Sequence, residues 1–243
     1  GPHSRPPYRP QDNENIKGAT SAQGVFAVLD DMKQSGFPPN VVQVNMAVSR
    51  LGRMRGGWHS AVTLLQSARE RYSVAPNTIT YSAAISACEK GGQWERALAL
   101  LGEMEAAGVA PNTITYSAVI EALPVSQRAT AQTLLKEATA KGMYQVWNRR
   151  GELDLHGRSA AVSNALLDLT MTEFAEGRRE IADLTIITGQ GHGSGDKGPV
   201  LIDSARAFLT EEFRLEITEV PTNPGRFVVE AAAIRNWIER RGR

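Results

Sequence analysis

Two residues with acid–base side chains lie close together in the second half of the chain. Asp154 and His156 belong to a Leu-Asp-Leu-His-Gly stretch at residues 153–157. Residues two apart on a β-strand project from the same face, so the carboxylate and the imidazole would converge. Such a pair can carry the proton transfers of phosphodiester cleavage. A lone Asp-x-His sequence is also common in purely structural settings, so both interpretations stay open.

A glycine-rich segment follows at residues 188–195, with the sequence Thr-Gly-Gln-Gly-His-Gly-Ser-Gly. It stands between a predicted strand and a predicted helix, where backbone amides freed by glycine can bind phosphate. His192 is a further candidate for phosphate binding or proton donation. The spacing differs from a dinucleotide-binding fingerprint, and no Lys-Ser/Thr follows as in a Walker loop. The phosphate contacts would come from Thr188, Gly189, Gly191 and Ser194.

The elements that must position these two segments alternate between strand-like and helix-like patterns. Predicted strands cover residues 152–156, 182–188, 214–220 and 226–229, and predicted helices cover residues 159–176, 199–212 and 231–241. This order predicts a small sheet covered by helices. We expect this domain to occupy residues 151–243, after a linker at residues 144–150.

The composition limits the class of protein. The chain has 243 residues, enough for one large domain or two modest ones. A net charge of +1 gives no bulk positive field, although recognition of bases by stacking and hydrogen bonds does not require one. The single cysteine, Cys88, excludes an intramolecular disulfide and favours a reducing compartment. No stretch approaches the roughly 20 apolar residues that cross a bilayer.

The N-terminal residues 1–20 are rich in proline, asparagine and charge. Such a composition cannot bury much apolar surface, so we expect this segment to be disordered. It has neither the apolar core of a signal peptide nor the Arg/Ser pattern of a transit peptide. It therefore indicates no compartment.

An internal repeat occupies residues 21–143. The sequence Pro-Asn-Thr-Ile-Thr-Tyr-Ser-Ala begins at Pro76 and again at Pro111, 35 residues later, and a looser copy begins at Pro39. In each unit an asparagine precedes a first helix, and a second helix with an apolar stripe ends at a glycine. The pattern indicates half a unit followed by three units. Such helix pairs cannot bury their apolar faces alone, so we expect a stacked solenoid with an open groove.

This helix pair, with its Pro-Asn and Thr-Tyr-Ser boundary and its Ala-Leu-x-Leu-Leu-x-x-Met second helix, resembles the pentatricopeptide repeat family. The tetratricopeptide repeat is the main competitor, but it has a period of about 34 residues and lacks this boundary. The resemblance covers about half of the chain. It implies that the repeats bind single-stranded RNA, about one base per repeat.

The resemblance also implies which side chains meet the bases. Polar residues near the start of each first helix, together with the asparagine that closes the unit, would read base edges, whereas aliphatic residues would pack against the bases. In the family an Asn/Asn pair favours pyrimidines and a Ser/Asn pair favours adenine, so the implied target is a pyrimidine followed by adenine, 5′ to 3′. Helix capping explains the same polar residues without a ligand. The readers would be Asn45 with Asn77, Ser82 with Asn112, and Ser117. The packing residues would be Val42, Ile79 and Ile114.

The motifs at residues 153–157 and 188–195, in this order, resemble those of the small MutS-related (SMR) domain. The match covers residues 151–243. In that family the two motifs flank a nucleic-acid site, and many members nick DNA or cleave RNA. Here Gly193 stands at the usual histidine position, and His192 lies one residue earlier. The resemblance therefore implies a nuclease whose second motif departs from the family pattern.

These observations predict an α-solenoid of helix-pair repeats followed by a small α/β sandwich domain. We expect a monomeric organellar protein, of chloroplast or mitochondrion, that binds single-stranded RNA and acts as an endoribonuclease through Asp154 and His156. A ribose 2′-hydroxyl as nucleophile requires no cofactor, although Mg²⁺ stays open. The alternatives are a non-catalytic RNA-binding or stabilising factor, a signalling scaffold of the organelle, and a DNA-nicking enzyme, which repeats suited to single-stranded RNA disfavour.

Overall fold

The computed structural model describes residues 9–189 and 200–242. The chain divides into two compact units between Pro124 and Val125. Within the described ranges, no helix has both the length and the apolar character needed to span a membrane. The helices of the N-terminal unit are α1 Pro10–Gly18, α2 Ala22–Gln34, α3 Val41–Gly52, α4 Trp58–Tyr72, α5 Thr78–Lys90, α6 Trp94–Ala106 and α7 Thr113–Ala122.

In the N-terminal unit the first helices of successive repeats pack side by side. Helix α1 packs against α3, α3 against α5, and α5 against α7. The second helices α2, α4 and α6 each pack against the first helix of their own pair and of the next one. Aliphatic side chains fill the space between the two layers, including the completely buried Leu29, Leu64, Ile85 and Leu100.

The predicted asparagine caps are confirmed. Each first helix of the three matching repeats begins with an asparagine whose side chain accepts a hydrogen bond from a backbone N–H of the first turn. The side chain three residues later accepts a hydrogen bond from the backbone N–H of that asparagine, which completes a capping box. The pairs are Asn40 with Gln43, Asn77 with Thr80, and Asn112 with Thr115.

The prediction of disorder over residues 1–20 is wrong for the part that the structure describes. Residues Pro10–Gly18 form helix α1, which packs against α2 and α3. Its one large apolar side chain, Ile16, is completely buried, and Asp12 is buried beside Arg9, at 3.3 Å. Tertiary contact therefore outweighs a polar composition. The predicted half unit is a full helix pair, α1 and α2.

The C-terminal unit combines helices with a small sheet. A 3₁₀ turn at Val125–Gln127 precedes its first helix. Its helices are α8 Arg128–Ala140, α9 Ala160–Ala175, α10 Val200–Phe213 and α11 Ala231–Arg241. Its strands are β1 Leu153–Asp154, β2 Leu184–Ile187, β3 Thr218–Glu219 and β4 Arg226–Val229.

The sheet has the strand order β1-β2-β4-β3. Strands β1 and β2 are parallel, with Asp154 opposite Ile187, and the β2–β4 and β4–β3 pairs are antiparallel. The crossover from β1 to β2 contains α9, which packs against α8 and α10. Because β1 and β2 are parallel, the residues after Asp154 and Ile187 meet at the same edge of the sheet.

The boundaries differ from prediction in three places. Strand β1 ends at Asp154 rather than at residue 156, because the chain turns at His156. The strand predicted over residues 214–220 pairs only at Thr218–Glu219, and Arg214, directly after α10, takes a left-handed conformation with φ of 53°. Helix α8, predicted as the last helix of the repeats, belongs to the C-terminal unit, where it packs against α9.

Candidate functional site

Three aliphatic side chains stand exposed at equivalent positions of the first helices. Val42 is 55% exposed, Ile79 60% and Ile114 64%, and each is the second residue of its helix. Large aliphatic residues are usually buried, so exposure at the same place in three consecutive repeats is unusual. These are the three residues predicted to pack against bases. The structure therefore leaves their surfaces available to a ligand.

The capping asparagines Asn77 and Asn112 present amide hydrogens. A backbone N–H can only donate, so the atom that faces the N–H of Thr80 or Thr115, at 3.1 and 2.9 Å, must be the Oδ1 of the asparagine. Their Nδ2 groups find no acceptor among the residues that the structure describes. Each half-buried asparagine therefore caps its helix with the oxygen and keeps two hydrogen-bond donors. Capping thus uses the oxygen of each side chain and leaves its nitrogen for other contacts.

Two of the other predicted readers, Asn45 and Ser82, bond to the repeat that follows them. The hydroxyl of Thr80 donates to Asn45 Oδ1 at 2.5 Å, and Asn45 Nδ2 donates to Asn77 Oδ1 at 3.3 Å. Ser82 Oγ lies 2.7 Å from Thr115 Oγ1. One hydrogen of Asn45 Nδ2 remains for a ligand, whereas Ser82 is only 6% exposed. The expectation that the Ser82 side chain is accessible to a base is therefore wrong, because its hydroxyl is buried and hydrogen-bonded to that of Thr115.

A groove of about 270 Å³ runs along α3 and α5 to the start of α7. This volume is close to the lower end, roughly 300 Å³, for small-molecule sites. Ile79 and Ile114 form its apolar part, and Ser82 and Asn112 also line it. Ser117 lies half-buried at the corresponding position of α7. The other lining residues are Ser49, Gly52, Arg53, Ala83, Ser86, Ala87 and Lys90.

Two exposed basic residues border this groove at equivalent places. Arg53 caps the C-terminal end of α3, and Lys90 is the last residue of α5. Neither forms an ion pair with a carboxylate in the described part of the chain. The neighbouring Glu89 has its pKa raised by burial and, to a lesser extent, by Glu121. As pH falls, Glu89 therefore loses its negative charge beside Lys90 at a higher pH than an ordinary glutamate does.

Asp154 and His156 contact each other, although not as alternate residues of one strand. Asp154 Oδ1 lies 2.6 Å from His156 Nδ1 and also accepts a hydrogen bond from the backbone N–H of His156, at 3.1 Å. The carboxylate thus forms the turn that ends β1 and orients the imidazole. The side chain of His156 is 67% exposed, whereas that of Asp154 is 25% exposed. This arrangement leaves Nε2 of His156 open to solvent.

A basic residue without any motif in the sequence, Arg158, lies beside this pair. Arg158 donates to the backbone carbonyls of Asp154 and Gln145, and its guanidinium lies 5.2 Å from the centre of the Tyr144 ring. It forms no ion pair with a carboxylate among the described residues, so its charge is not neutralised there. Helix α9 begins two residues later, with N-terminal amides that favour anions. Arg158 lies close to Asp154 and His156 because the chain turns after β1, so this cluster is visible only in the three-dimensional structure.

The glycine-rich segment begins against His156. A Cβ added to Gly189 would lie 3.5 Å from the Cβ of His156, so the backbone of Gly189 is adjacent to the pair. Thr188 is buried, and both its N–H and its hydroxyl donate to the carbonyl of Gly225. The prediction that the Thr188 side chain contacts phosphate is therefore wrong, because its hydroxyl is buried and already bonded at the edge of the sheet. The predicted residues Gly191, His192 and Ser194, together with Gly193, lie outside the described residues.

No group of three or more histidine, cysteine, aspartate or glutamate side chains comes together within residues 9–189 and 200–242 in a way that could hold a metal ion. The polar groups at the end of β1 are a carboxylate, an imidazole and a guanidinium. These are groups that move protons and bind anions.

The fold and the groove define a helical-repeat protein with a small α/β unit. Residues 70–124 match the PPR repeat family, and this match lies inside the stretch predicted to carry pentatricopeptide repeats. A comparison with curated protein sequences gave no significant match.

Solved structures of helical-repeat proteins are similar to this chain. The pentatricopeptide repeat protein PPR10 from maize is 20% identical, with a TM-score of 0.48 over 91% of this chain and 28% of that chain. PPR10 in complex with an 18-nt psaJ RNA element is 17% identical, with a TM-score of 0.48 over 69% of this chain and 23% of that chain. Nuclear proteinaceous RNase P 2 from A. thaliana is 11% identical, with a TM-score of 0.45 over 69% of this chain and 36% of that chain. The chain thus spans about a quarter to a third of the length of these proteins.

Proposed function

We propose that the repeats bind single-stranded RNA along the groove and that Asp154 and His156 cleave a phosphodiester bond of RNA. The observation that carries the proposal is the row of Val42, Ile79 and Ile114, which are exposed in register although their chemistry favours burial. An unpaired base has a flat apolar face that can cover such a side chain, whereas a double helix hides its base faces. Single strands therefore fit this row better than duplexes.

The polar groups beside the row supply base-edge contacts. Asn45, Asn77 and Asn112 keep amide hydrogens, because their oxygens are engaged in caps and contacts between repeats. Donors select bases that present acceptors, and two adjacent donors match the O2 and N3 atoms of cytosine. The Asn45–Asn77 pair therefore fits cytosine, one of the pyrimidines that the resemblance to pentatricopeptide repeats implies. Ser82 contributes little exposed surface at the next position, so Asn112 is the main polar group there.

Arg53 and Lys90 supply the electrostatic part of binding. Both border the groove, at matching ends of consecutive first helices. Phosphates follow one another along an RNA strand as the repeats follow one another along the protein, so equivalent basic residues can each meet one phosphate. Since no described carboxylate pairs with either side chain, no ion pair has to break before RNA binds.

The geometry of the Asp154–His156 pair suits general base catalysis. A carboxylate can only accept, so Nδ1 of His156 carries the hydrogen between them, and Nε2 is left as the acceptor. Nε2 can take the proton of a ribose 2′-hydroxyl while O2′ attacks phosphorus. The P–O5′ bond then breaks, a 2′,3′-cyclic phosphate forms, and the departing O5′ takes a proton from water. Arg158 can bind the phosphate oxygens.

Binding is tested with Ile79→Ser and Ile114→Ser variants and a short unstructured RNA. Stacking of a base on an aromatic side chain contributes about 1–3 kcal/mol, and we expect an aliphatic side chain to contribute about 1 kcal/mol, so each variant should weaken binding about fivefold. The matched control is Val125→Ser, because Val125 is 75% exposed but not among the residues that line the groove. An equal loss of RNA affinity in all three variants would show that Ile79 and Ile114 are not part of the RNA-binding surface.

Cleavage is tested with His156→Ala and Asp154→Ala variants on single-stranded RNA, with and without EDTA. Loss of a general base should lower the rate about 10²–10⁴-fold. His59→Ala is the control, because His59 is also exposed but lies on α4. An oligonucleotide with a 2′-deoxyribose at the cleaved position should bind without being cut. Unchanged cleavage in both site variants would exclude the pair, and binding without any cleavage would favour a non-catalytic RNA-binding factor.

A further inference from the structure

A tryptophan and an arginine form a stacked pair in the C-terminal unit. The guanidinium carbon of Arg179 lies over the indole ring of Trp147, 3.8 Å from the ring centre. Glu173 holds the same guanidinium, because its Oε2 accepts a hydrogen bond from Nε of Arg179 at 3.1 Å. The backbone carbonyl of Glu173 also accepts from the backbone N–H of Arg179, at 3.3 Å. Main-chain and side-chain contacts therefore hold the guanidinium in one place.

An apolar pocket of about 400 Å³ opens beside this pair. Its volume lies within the range of roughly 300–1,000 Å³ that is usual for sites of small ligands. Trp147 and Arg179 line the pocket together with Leu166 and Leu169, two buried residues of α9. The side chain of Arg179 is 32% exposed, so the guanidinium keeps accessible surface in spite of the stack. Its two Nη nitrogens find no acceptor within residues 9–189 and 200–242.

Three further basic side chains lie at this pocket or next to it in the chain. Lys136 of α8 lines the pocket and is exposed. Arg149 and Arg150 follow Trp147 in a turn that Asn148 organises, since its Oδ1 accepts from the backbone N–H of Arg150 at 2.9 Å. Both arginine side chains are exposed. In the part of the chain that the structure describes, none of these three cations forms an ion pair with a carboxylate, so all three are available to an anion.

The wall of the pocket is bonded directly to strand β1. Val146 lines the pocket, and its backbone carbonyl accepts from the backbone N–H of Asp154 at 2.7 Å. The next residue, Trp147, forms an antiparallel bridge with Leu153. The pocket therefore lies alongside the strand whose end carries Asp154 and His156. A single RNA strand can reach both places.

We infer that this pocket binds one unpaired nucleotide of RNA, with its base stacked on the guanidinium of Arg179 and its phosphate beside Arg149 and Arg150. Unpaired bases stack on guanidinium planes as they do on aromatic rings. A nucleotide uses the apolar wall and the unpaired cations at once, whereas an acidic protein segment needs only the charge. The inference rests on the proposed function, and it adds a contact with RNA outside the repeats.

Arg179→Lys tests the inference, because lysine keeps the positive charge but has no planar face. The affinity of the full chain is measured for a single-stranded RNA and for a set of RNAs in which each nucleotide in turn is a ribose without a base. We expect the wild-type protein to lose about fivefold in affinity when one particular base is missing. Arg179→Lys should bind the intact RNA about fivefold more weakly, and that same base should then no longer matter.

Arg178→Lys is the matched control, because Arg178 is the neighbouring exposed arginine and pairs with Glu176 rather than with a ring. It should bind every RNA as the wild type does. Equal affinities of Arg179→Lys and Arg178→Lys would overturn the inference, and they are the result expected for an acidic protein partner. A loss that is the same for the intact RNA and for every abasic RNA would also overturn it, because lost stacking acts at one base.

The failure of this inference can be told from that of the proposed function. If Ile79→Ser weakens RNA binding while no base depends on Arg179, only the inference fails. If the wild-type protein binds no single-stranded RNA, the proposed function fails and the inference fails with it.

Discussion

Replacing Thr80 by valine tests whether polar contacts, in addition to apolar stacking, hold consecutive repeats together. Thr80 is completely buried. Its hydroxyl accepts a hydrogen bond from the backbone N–H of Asn77 at 3.0 Å and donates to Asn45 Oδ1 at 2.5 Å. Valine keeps the branched shape but not the hydroxyl. The substitution therefore preserves the packing while it removes one half of a capping box and one contact between repeats.

The size of the effect follows from what the two partners lose. An unpaired buried polar group costs about 1–3 kcal/mol. Asn45 and Asn77 are half-buried, so water can restore part of each lost bond, and the lower value applies to each. The Oδ1 of Asn77 still caps the N–H of residue 80, so the helix start is not lost. We expect the free energy of unfolding to fall by about 2 kcal/mol.

Urea unfolding followed by far-UV circular dichroism measures this change. Thr80→Ser is the matched rescue, because serine restores both hydrogen bonds and loses only a methyl group. Thr63→Val is the surface control, since the hydroxyl of Thr63 is exposed and donates to the carbonyl of His59 in its own helix. Its effect should stay within about 0.5 kcal/mol. A Thr80→Val protein as stable as Thr63→Val would refute the reasoning.

Three further predictions concern other parts of the N-terminal unit. Gly91→Ala places a Cβ 2.5 Å from Cδ1 of the Trp58 ring, so we expect a loss of about 1–3 kcal/mol and a shift in tryptophan fluorescence; an unshifted spectrum with full stability would contradict the packing. Arg53→Ala and Lys90→Ala should each reduce the slope of log K against log salt for single-stranded RNA by about 0.7, and an unchanged slope would place them away from phosphates. Burial raises the pKa of the Cys88 thiol to about 11, so a thiol reagent should react at neutral pH only after unfolding. Because this pKa is raised in the folded state, the thiol's contribution to stability is present below its ordinary pKa and is lost as pH rises through about 11; rapid labelling of the native protein would refute this.

Much of the fold could be predicted because its signals are local. The first helix after Asn77 was expected to begin at this asparagine, and it spans Thr78–Lys90, since the asparagine cap and the terminal glycines define its ends. The predicted helix over residues 231–241 is confirmed without change. The strands were harder to place, since an edge strand such as β3 is defined by its partner β4 rather than by its own side chains.

The residues of the candidate sites also differ in whether the sequence alone could predict them. The row of Val42, Ile79 and Ile114 could be predicted from the resemblance to pentatricopeptide repeats, because equivalent positions of a repeat occupy the same side of their helices. The pairing of Asp154 with His156 was expected, but for a different reason, since a turn and not a strand brings them together. Arg158 gave no signal, because a single polar residue becomes significant only through its neighbours.

The amino-acid sequence by itself determined the repeat, its helix boundaries and the order of the two units, because caps, glycine turns and apolar periodicity act within a few residues of chain. Only the tertiary structure decided that residues 10–18 are a helix and that Asn45 and Ser82 bond to the next repeat. It also decided that Ser82 and Thr188 are covered. The physical reason is that burial and side-chain pairing depend on contacts between residues about one repeat or more apart, and neither composition nor local periodicity records them.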